Sequence, residues 1–292
     1  MISGPFDCSL GHNPAKMNNQ REGEDFFYGV YGAANEGVLT KIRRETYGED
    51  LGQFSWITAD ELRKFFRKLD LNPDSHVLDV ACGSGGPAFF TAQTLGCHVT
   101  GLDISENGIL AARKMAQVRG LQNWATFEHA DANQPIPFPD ALFDAVISID
   151  AMNHLSRRAE VFAEWLRVLR PGGRFLFTDA SIVTGMLSRD EMLARSRSMG
   201  HFLFTPIGLH ERLIEAAGFV ELQVEDVTDT IATVSKRWHD AREKHRSELL
   251  KIETQADFES LQSMLAAAHT LAGERRLSRF AYSATKAGAT HC

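Results

Sequence analysis

The chain has 292 residues, 43% of them hydrophobic and 24% charged, with a formal net charge of −7. That suits one large domain or one domain with a substantial lid, and argues against a general nucleic-acid surface, which needs clustered Lys and Arg to neutralise phosphates. No apolar run approaches the ~20 residues that span a bilayer, no secretory signal pattern opens the chain, and Cys8, Cys82, Cys97 and Cys292 lack metal-ligand or disulfide-framework spacing. A cytoplasmic protein without a metal or a membrane span is expected.

Residues 1–22 are polar and irregular and read as a flexible arm. Residues 23–70 read as a helical flap. Phe26, Phe27, Tyr28 and Tyr31 lead into a helix from Val38 to Tyr47, and a glycine-bearing loop runs on to Trp56. This aromatic segment suits either a packing arm or a cover over a site. Thr58 is placed to N-cap a helix ending at Leu69, with Glu61 as the capping-box acid.

Val77 to Ala81 predicts a short buried strand interrupted by Asp79. Cys82 to Gly86 then holds three glycines in five residues. Pro87 to Leu95 follows as a helix, and a second strand from His98 to Leu102 ends in Asp103. Strand, glycine turn, helix, strand and acid form the first half of a doubly wound nucleotide site. The carboxylate after the second strand can accept both hydroxyls of a ribose. The spacing is not that of a dinucleotide site, because Gly83-Ser84-Gly85-Gly86 leads into Pro87-Ala88-Phe89 without the third glycine of the fingerprint. Asp79 also sets a negative charge beside the turn, which suits a ligand with an amine and a cationic centre.

Glu106 to Arg119 is expected helical, and Ala125 to His129 a third strand leading to Asp131-Ala132-Asn133. A proline-stiffened loop precedes a fourth strand, Phe143 to Asp150. Ligands of open α/β sheets gather at the carboxyl ends of the strands, so Ile149 to His154 is expected to face the reacting centre. Val161 to Leu169 reads as a helix stopped by Arg170-Pro171-Gly172-Gly173, and Arg174 to Thr178 as a fifth strand ending at Asp179. Residues 181–206 look less regular. Pro206 to Ala217 reads as a helix, Phe219 to Val227 as a sixth strand, and Thr230 to Leu271 as helix broken near Gln255. Leu277 to Thr285 alternates like a last strand. The helical insertion of about 40 residues is too long for a turn and reads as a lid. The expected fold is α/β, a Rossmann-like, seven-stranded, mostly parallel sheet with helices on both faces. Its units are a core over 71–229, the lid over 230–275, and the last strand and tail over 276–292.

The run Asp79-Val80-Ala81-Cys82-Gly83-Ser84-Gly85-Gly86, with Asp103, resembles motif I and the ribose acid of class I S-adenosylmethionine-dependent methyltransferases. The resemblance implies S-adenosyl-L-methionine as cofactor and S-adenosyl-L-homocysteine as product. It implies cofactor contacts from Trp56, Asp79, Ala81, Gly83, Gly85, Asp103, Ile104, Asp131, Ala132, Asp150 and Ala151, with Asp131 accepting the adenine amine. The Asp150-Ala151-Met152-Asn153-His154-Leu155 run, the insert near Trp238, and Ala281 to Lys286 look like the phosphoethanolamine and sarcosine/dimethylglycine N-methyltransferases. In the phosphobase branch a His matching His154 assists proton removal with an N-terminal Tyr, for which Tyr31 or Tyr47 stands here.

A His at that strand end can take a proton from an ammonium or hydroxyl acceptor near neutral pH. Tyr31, Tyr47, His201, Phe204 and Trp238 are the expected acceptor contacts, with His210 and His239 as further pocket candidates, and the aromatics as a cage for a methylated ammonium. One departure stands out. The phosphobase enzymes hold the phosphate with Arg and Tyr before the penultimate helix, whereas Ser198 to Phe204 is mostly apolar, so a phosphate needs Arg195 or Arg197 to reach in. A small-molecule amine is the expected acceptor. O- or C-methylation of a metabolite, or cofactor binding without turnover, are the alternatives, and the chain is open to being a monomer or a homodimer.

Overall fold

The structure is a computed structural model that describes residues 37–197 and 202–288. The segments expected as an arm, with Tyr31 and the aromatics at 26–28, and also His201, lie outside the described residues.

Helix α1 (Gly37–Tyr47) is followed by α2 (Ala59–Leu69), whose Thr58 cap accepts from the Glu61 backbone N–H at 3.2 Å. The expected capping box does not close. Glu61 turns inward instead, accepting from Arg279 Nη1 at 2.8 and 2.9 Å and from Thr230 Oγ1 at 3.1 Å. A buried guanidinium is a stronger partner than a backbone N–H that water can satisfy.

The core follows in chain order: β1 (His76–Val80), α3 (Gly86–Leu95), β2 (His98–Asp103), α4 (Glu106–Val118), β3 (Ala125–His129), β4 (Phe143–Ile149), α5 (Arg158–Val168) and β5 (Leu169–Val183). After β5 come α6 (Arg189–Ser196), β6 (Thr205–Pro206), α7 (Leu209–Ala217) and β7 (Phe219–Asp226). The stretch expected as a lid holds α8 (Thr228–Lys244), α9 (Arg246–Leu249) and α10 (Gln255–Gly273), and β8 (Leu277–Lys286) follows it.

The main path of the sheet is β3-β2-β1-β4-β5-β8-β7. β1 to β5 are parallel, and β8 runs antiparallel between β5 and β7. The expected seven strands form this path, and the two-residue β6 joins the edge of β5 as an eighth. β1 and β4 are buried on both faces, as parallel strands covered by helices must be. The fifth strand outruns its expected end at Asp179, because β8 and β6 give partners to Ile182 and Val183. The stretch expected to be irregular contains α6, started by a complete capping box between Ser188 and Glu191.

Apolar cores lie on each face of the sheet, one under α2, α3 and α4, the other under α5 and α7. A third cluster joins Val38, Ile42, Tyr47 and Trp56 to Trp238, Leu261 and Leu265. Helix α1 and the helices between β7 and β8 therefore share one apolar core.

Candidate functional site

The carboxyl ends of β1 to β4 meet along one edge of the sheet. Between β1 and α3 the chain turns through left-handed backbone at Ala81 (φ 59°), Gly83 (φ 56°) and Gly85 (φ 82°). The non-glycine Ala81 holds a strained conformation, of the kind that persists where the surroundings fix it. A Cβ on Gly85 would lie 2.8 Å from the Phe127 ring, and one on Gly86 would lie 2.7 Å from the Leu51 carbonyl oxygen. Glycine here lets the flap loop close directly onto the start of α3.

Asp103, at the end of β2, ties this turn to the next strand. One carboxylate oxygen accepts the Gly83 N–H at 2.7 Å, and the other accepts the Ser105 N–H at 2.7 Å. Each oxygen keeps a lone pair for a ligand hydroxyl. Ile104 beside it is 63% exposed, an apolar surface next to a polar one. Asp131 Oδ1 accepts from the backbone N–H of Asn133 at 2.8 Å and from its side-chain amide at 3.0 Å. Ala132 is buried next to it.

Asp79 is buried, and its Oδ2 has no hydrogen-bond partner. Burial, reinforced by the nearby Asp103 charge, pushes its carboxyl well above the ordinary carboxylate range. A buried acid without a partner is costly, and a ligand ammonium would satisfy it. The unpartnered oxygen, the glycine cradle, the diol-ready Asp103 and the bare Ile104 together fit a cofactor with an ammonium, a ribose and an adenine.

Asp150 follows β4 in left-handed backbone (φ 54°). Its carboxylate accepts from Arg279 Nε at 2.7 Å, Arg279 Nη2 at 3.2 Å, Thr178 Oγ1 at 2.8 Å and the Trp56 backbone N–H at 2.9 Å. Both oxygens are committed inside the protein, so what this position offers a cofactor is its backbone and that of Ala151. The Asp150–Arg279–Glu61 group is buried, and burial, opposed by both carboxylates, leaves the guanidinium above its ordinary range. Nothing in the local sequence pointed to this group, since its members are 218 and 129 positions apart.

His154 ends the 3₁₀ turn Met152–His154, immediately beyond Asp150. The Asn153 amide nitrogen lies 2.9 Å from its Nε2, and with the amide so oriented Asn153 donates into the Nε2 lone pair. Phe202 stands edge-on to the His154 ring at 6.2 Å, and Phe204 to Phe202 at 5.1 Å. The expected acceptor contacts Tyr47 and Trp238 belong to the cap side. Trp238 gathers Phe54 at 4.9 Å, Tyr47 at 6.2 Å and Trp56 at 6.2 Å between ring centres. Tyr47 donates to the Ser55 carbonyl at 2.7 Å, and burial, aided by the Asp150 charge, raises its phenol well above the usual range. Tyr47 is therefore a hydrogen-bond donor here, not an ionised base.

A second buried network steadies the His154 turn. Arg158 donates to the carbonyls of Met152 and Leu155 at 3.2 and 3.1 Å and to Thr205 Oγ1 at 2.9 Å. Asp179 accepts from Ser181 Oγ at 2.5 Å and from Thr205 Oγ1 at 3.1 Å, and lies 2.7 Å from His210 Nε2. Leu203 N–H donates to the Asn153 carbonyl at 2.8 Å. His210, a sequence candidate for the pocket, is wholly buried against Asp179 instead. His239 is partly exposed and 3.6 Å from Asp240. Among the described residues no cluster of His, Cys, Asp and Glu could hold a metal, and no helix is long and apolar enough to cross a membrane.

Residues 78–177 match the family model described as a methyltransferase domain. The chain is 31% identical over 269 residues to phosphoethanolamine N-methyltransferase 1 of Zea mays, covering 91% of this chain and 52% of that one. It is 28% identical over 239 residues to the glycine/sarcosine/dimethylglycine N-methyltransferase of Actinopolyspora halophila, covering 82% and 41%. Its fold superposes with a TM-score of 0.75 at 20% identity, over 91% of this chain and 60% of the other, on Haemonchus contortus phosphoethanolamine N-methyltransferase 2 in complex with phosphomonomethylethanolamine and S-adenosylhomocysteine. The chain thus spans about half the length of the curated relatives it matches.

Proposed function

From the match of residues 78–177 to the methyltransferase-domain model, we propose that the chain is an S-adenosylmethionine-dependent methyltransferase acting on a small molecule at an amine nitrogen. The observation that carries this reading is Asp103, whose two oxygens each hold one backbone N–H beside an exposed Ile104. That arrangement offers a diol acceptor and an apolar platform at the same place.

When bound, the cofactor supplies a methyl group already activated on a sulfonium. Asp103 then seats the ribose hydroxyls, Ile104 and Ala132 enclose the adenine, and Asp131 receives its amine. Asp79 receives the amino-acid ammonium. The protein's remaining tasks are to align the acceptor and exclude water. Trp56, Trp238, Phe202 and Phe204 supply apolar walls, and His154 takes the proton of an acceptor that arrives as an ammonium.

The names of the relatives support nitrogen as the site of transfer over oxygen or carbon. Cys82 and Cys97 are buried and unpaired, which supports a reducing, cytosolic setting. The test is methyl transfer from labelled S-adenosylmethionine to pooled amines, phenols and lipid extracts, with product mass as readout. A labelled amine is expected. Label confined to a phenol or a ring carbon would overturn the nitrogen assignment.

A further inference from the structure

At the amino end of the parallel strands, where Arg174 of β5 stands beside Ala145 of β4, the surface holds a cavity of about 270 Å³. Arg67 and Lys68 of α2, Arg174, and Gln223, Ser283 and Thr285 line it. The sheet register explains why this wall is polar. Arg174 stands opposite Thr285, and Gln223 opposite Ser283. Residues two apart on a strand share a face, so these four lie on the face that carries Leu176 and Ala281 in the core under α2. The apolar core ends at this corner, and the last turn of α2 brings Arg67 and Lys68 to it.

The charges at this corner do not cancel. Lys68 meets Glu225 at 2.6 Å, and Lys64 shares the same carboxylate. Arg174 spends one guanidinium nitrogen on the Lys68 carbonyl at 3.2 Å and has no carboxylate partner among the described residues. Arg67 is exposed, and its side chain has no partner among the described residues. The acid lining the cavity is Glu221, whose Oε2 accepts from Thr285 Oγ1 at 2.9 Å. It sits in left-handed backbone (φ 57°), where β7 shifts register against β8. Two guanidiniums and an ammonium thus share the cavity with one carboxylate, in a chain of net charge −7.

Two guanidiniums with uncommitted N–H edges match the several oxygens and the double charge of a phosphate better than the single charge of a carboxylate. The Ser283 hydroxyl and the Gln223 amide add neutral donors. The volume lies just under the roughly 300–1,000 Å³ of sites for drug-sized ligands, which limits the occupant to a small molecule. We propose that this corner is an anion site, separate from the transfer centre, that takes a small phosphate-bearing ligand between Arg67 and Arg174. The glycine turn and Asp103 lie at the opposite, carboxyl ends of the strands, so this site and the cofactor seat fill independently.

The test titrates inorganic phosphate into the full chain by calorimetry at low salt, with and without excess S-adenosylhomocysteine. Saturable binding with the same affinity in both conditions is expected. Arg67→Gln and Arg174→Gln are each expected to weaken it about tenfold or more, the loss of a charge-assisted hydrogen bond. Glu221→Gln is expected to tighten it, because the substitution removes a like charge from the cavity. That gain cannot come from a damaged fold. Absence of saturable binding to the wild type, arginine variants that bind as the wild type does, or a Glu221→Gln variant that binds no tighter, overturns the proposal. So does phosphate displaced by S-adenosylhomocysteine, which would place the anion at the cofactor seat instead.

Discussion

Arg279 Nε donates to Asp150 Oδ1 at 2.7 Å, joining the antiparallel last strand to the end of β4, and both side chains are almost fully buried. The same guanidinium reaches Glu61 on the flap side, so one residue fixes three parts of the chain around the site. Removing it leaves two buried carboxylates without a counter-ion. Arg279→Ala is expected to lose about 3–5 kcal/mol of stability, measured by urea unfolding at neutral pH. A loss below about 1 kcal/mol would show that the triad is not what holds the flap to the sheet.

As the proposed receiver of the cofactor ammonium, Asp79 would link stability to cofactor binding. Its carboxyl is raised in the folded chain, by burial and then by Asp103, so its contribution to stability is full below the unfolded carboxylate range and falls as pH rises towards the folded pKa. At neutral pH the cofactor-free protein carries that penalty. Asp79→Asn is expected to raise the melting temperature of the cofactor-free protein and to weaken S-adenosylmethionine binding. Because an ammonium favours the ionised acid, wild-type affinity should also rise with pH, and the variant should lose that slope. Calorimetry at several pH values checks both.

Asp179 behaves in the opposite sense. Burial alone would raise its pKa, but the His210 contact, with Ser181 and Arg158, brings it down to about 2. Its stabilisation is present above the unfolded carboxylate value and is lost as pH falls through about 2. Asp179→Asn is expected to cost about 2 kcal/mol at neutral pH, with the gap to wild type narrowing in acid. A gap that stays constant from neutral to acid pH would contradict the assignment.

His154→Ala is expected to lower kcat by about 10²–10⁴, the usual worth of a positioned proton acceptor. Cofactor affinity should stay within about twofold, because the His154 ring stands against Phe202. The pH profile of kcat/KM should lose its acidic limb at the same time. A kcat near wild type would reduce His154 to a structural part of its turn.

The cofactor half was legible because its signals are local. Val77 to Val80, the glycines from Gly83 to Gly86, and Asp103 encode strand, turn and acid within one βαβ unit, and burial on both faces wrote them as apolar runs. The cap at Thr58 was likewise set by neighbouring residues. Glu61 shows where this fails. Its position fits a capping box, yet a partner 218 positions away takes the side chain. The placement of β8 between β5 and β7 and the burial of His210 against Asp179 depend in the same way on long-range pairing that no window of sequence displays. Arg195 stood in the sequence as one of two candidate phosphate partners, and the rings of Trp56 and Phe202 that flank it appear only in the fold.

The account depends first on Asp103 as the organiser of the cofactor seat. Titration of S-adenosylmethionine into the wild type and into Asp103→Ala tests that most directly, because the substitution removes the proposed ribose acceptor and the Gly83 bond together. Saturable binding by the wild type and a loss of about a hundredfold or more in the variant, in line with two charge-assisted hydrogen bonds, is the expected result. Equal affinity in both proteins, or no binding to the wild type, would contradict it.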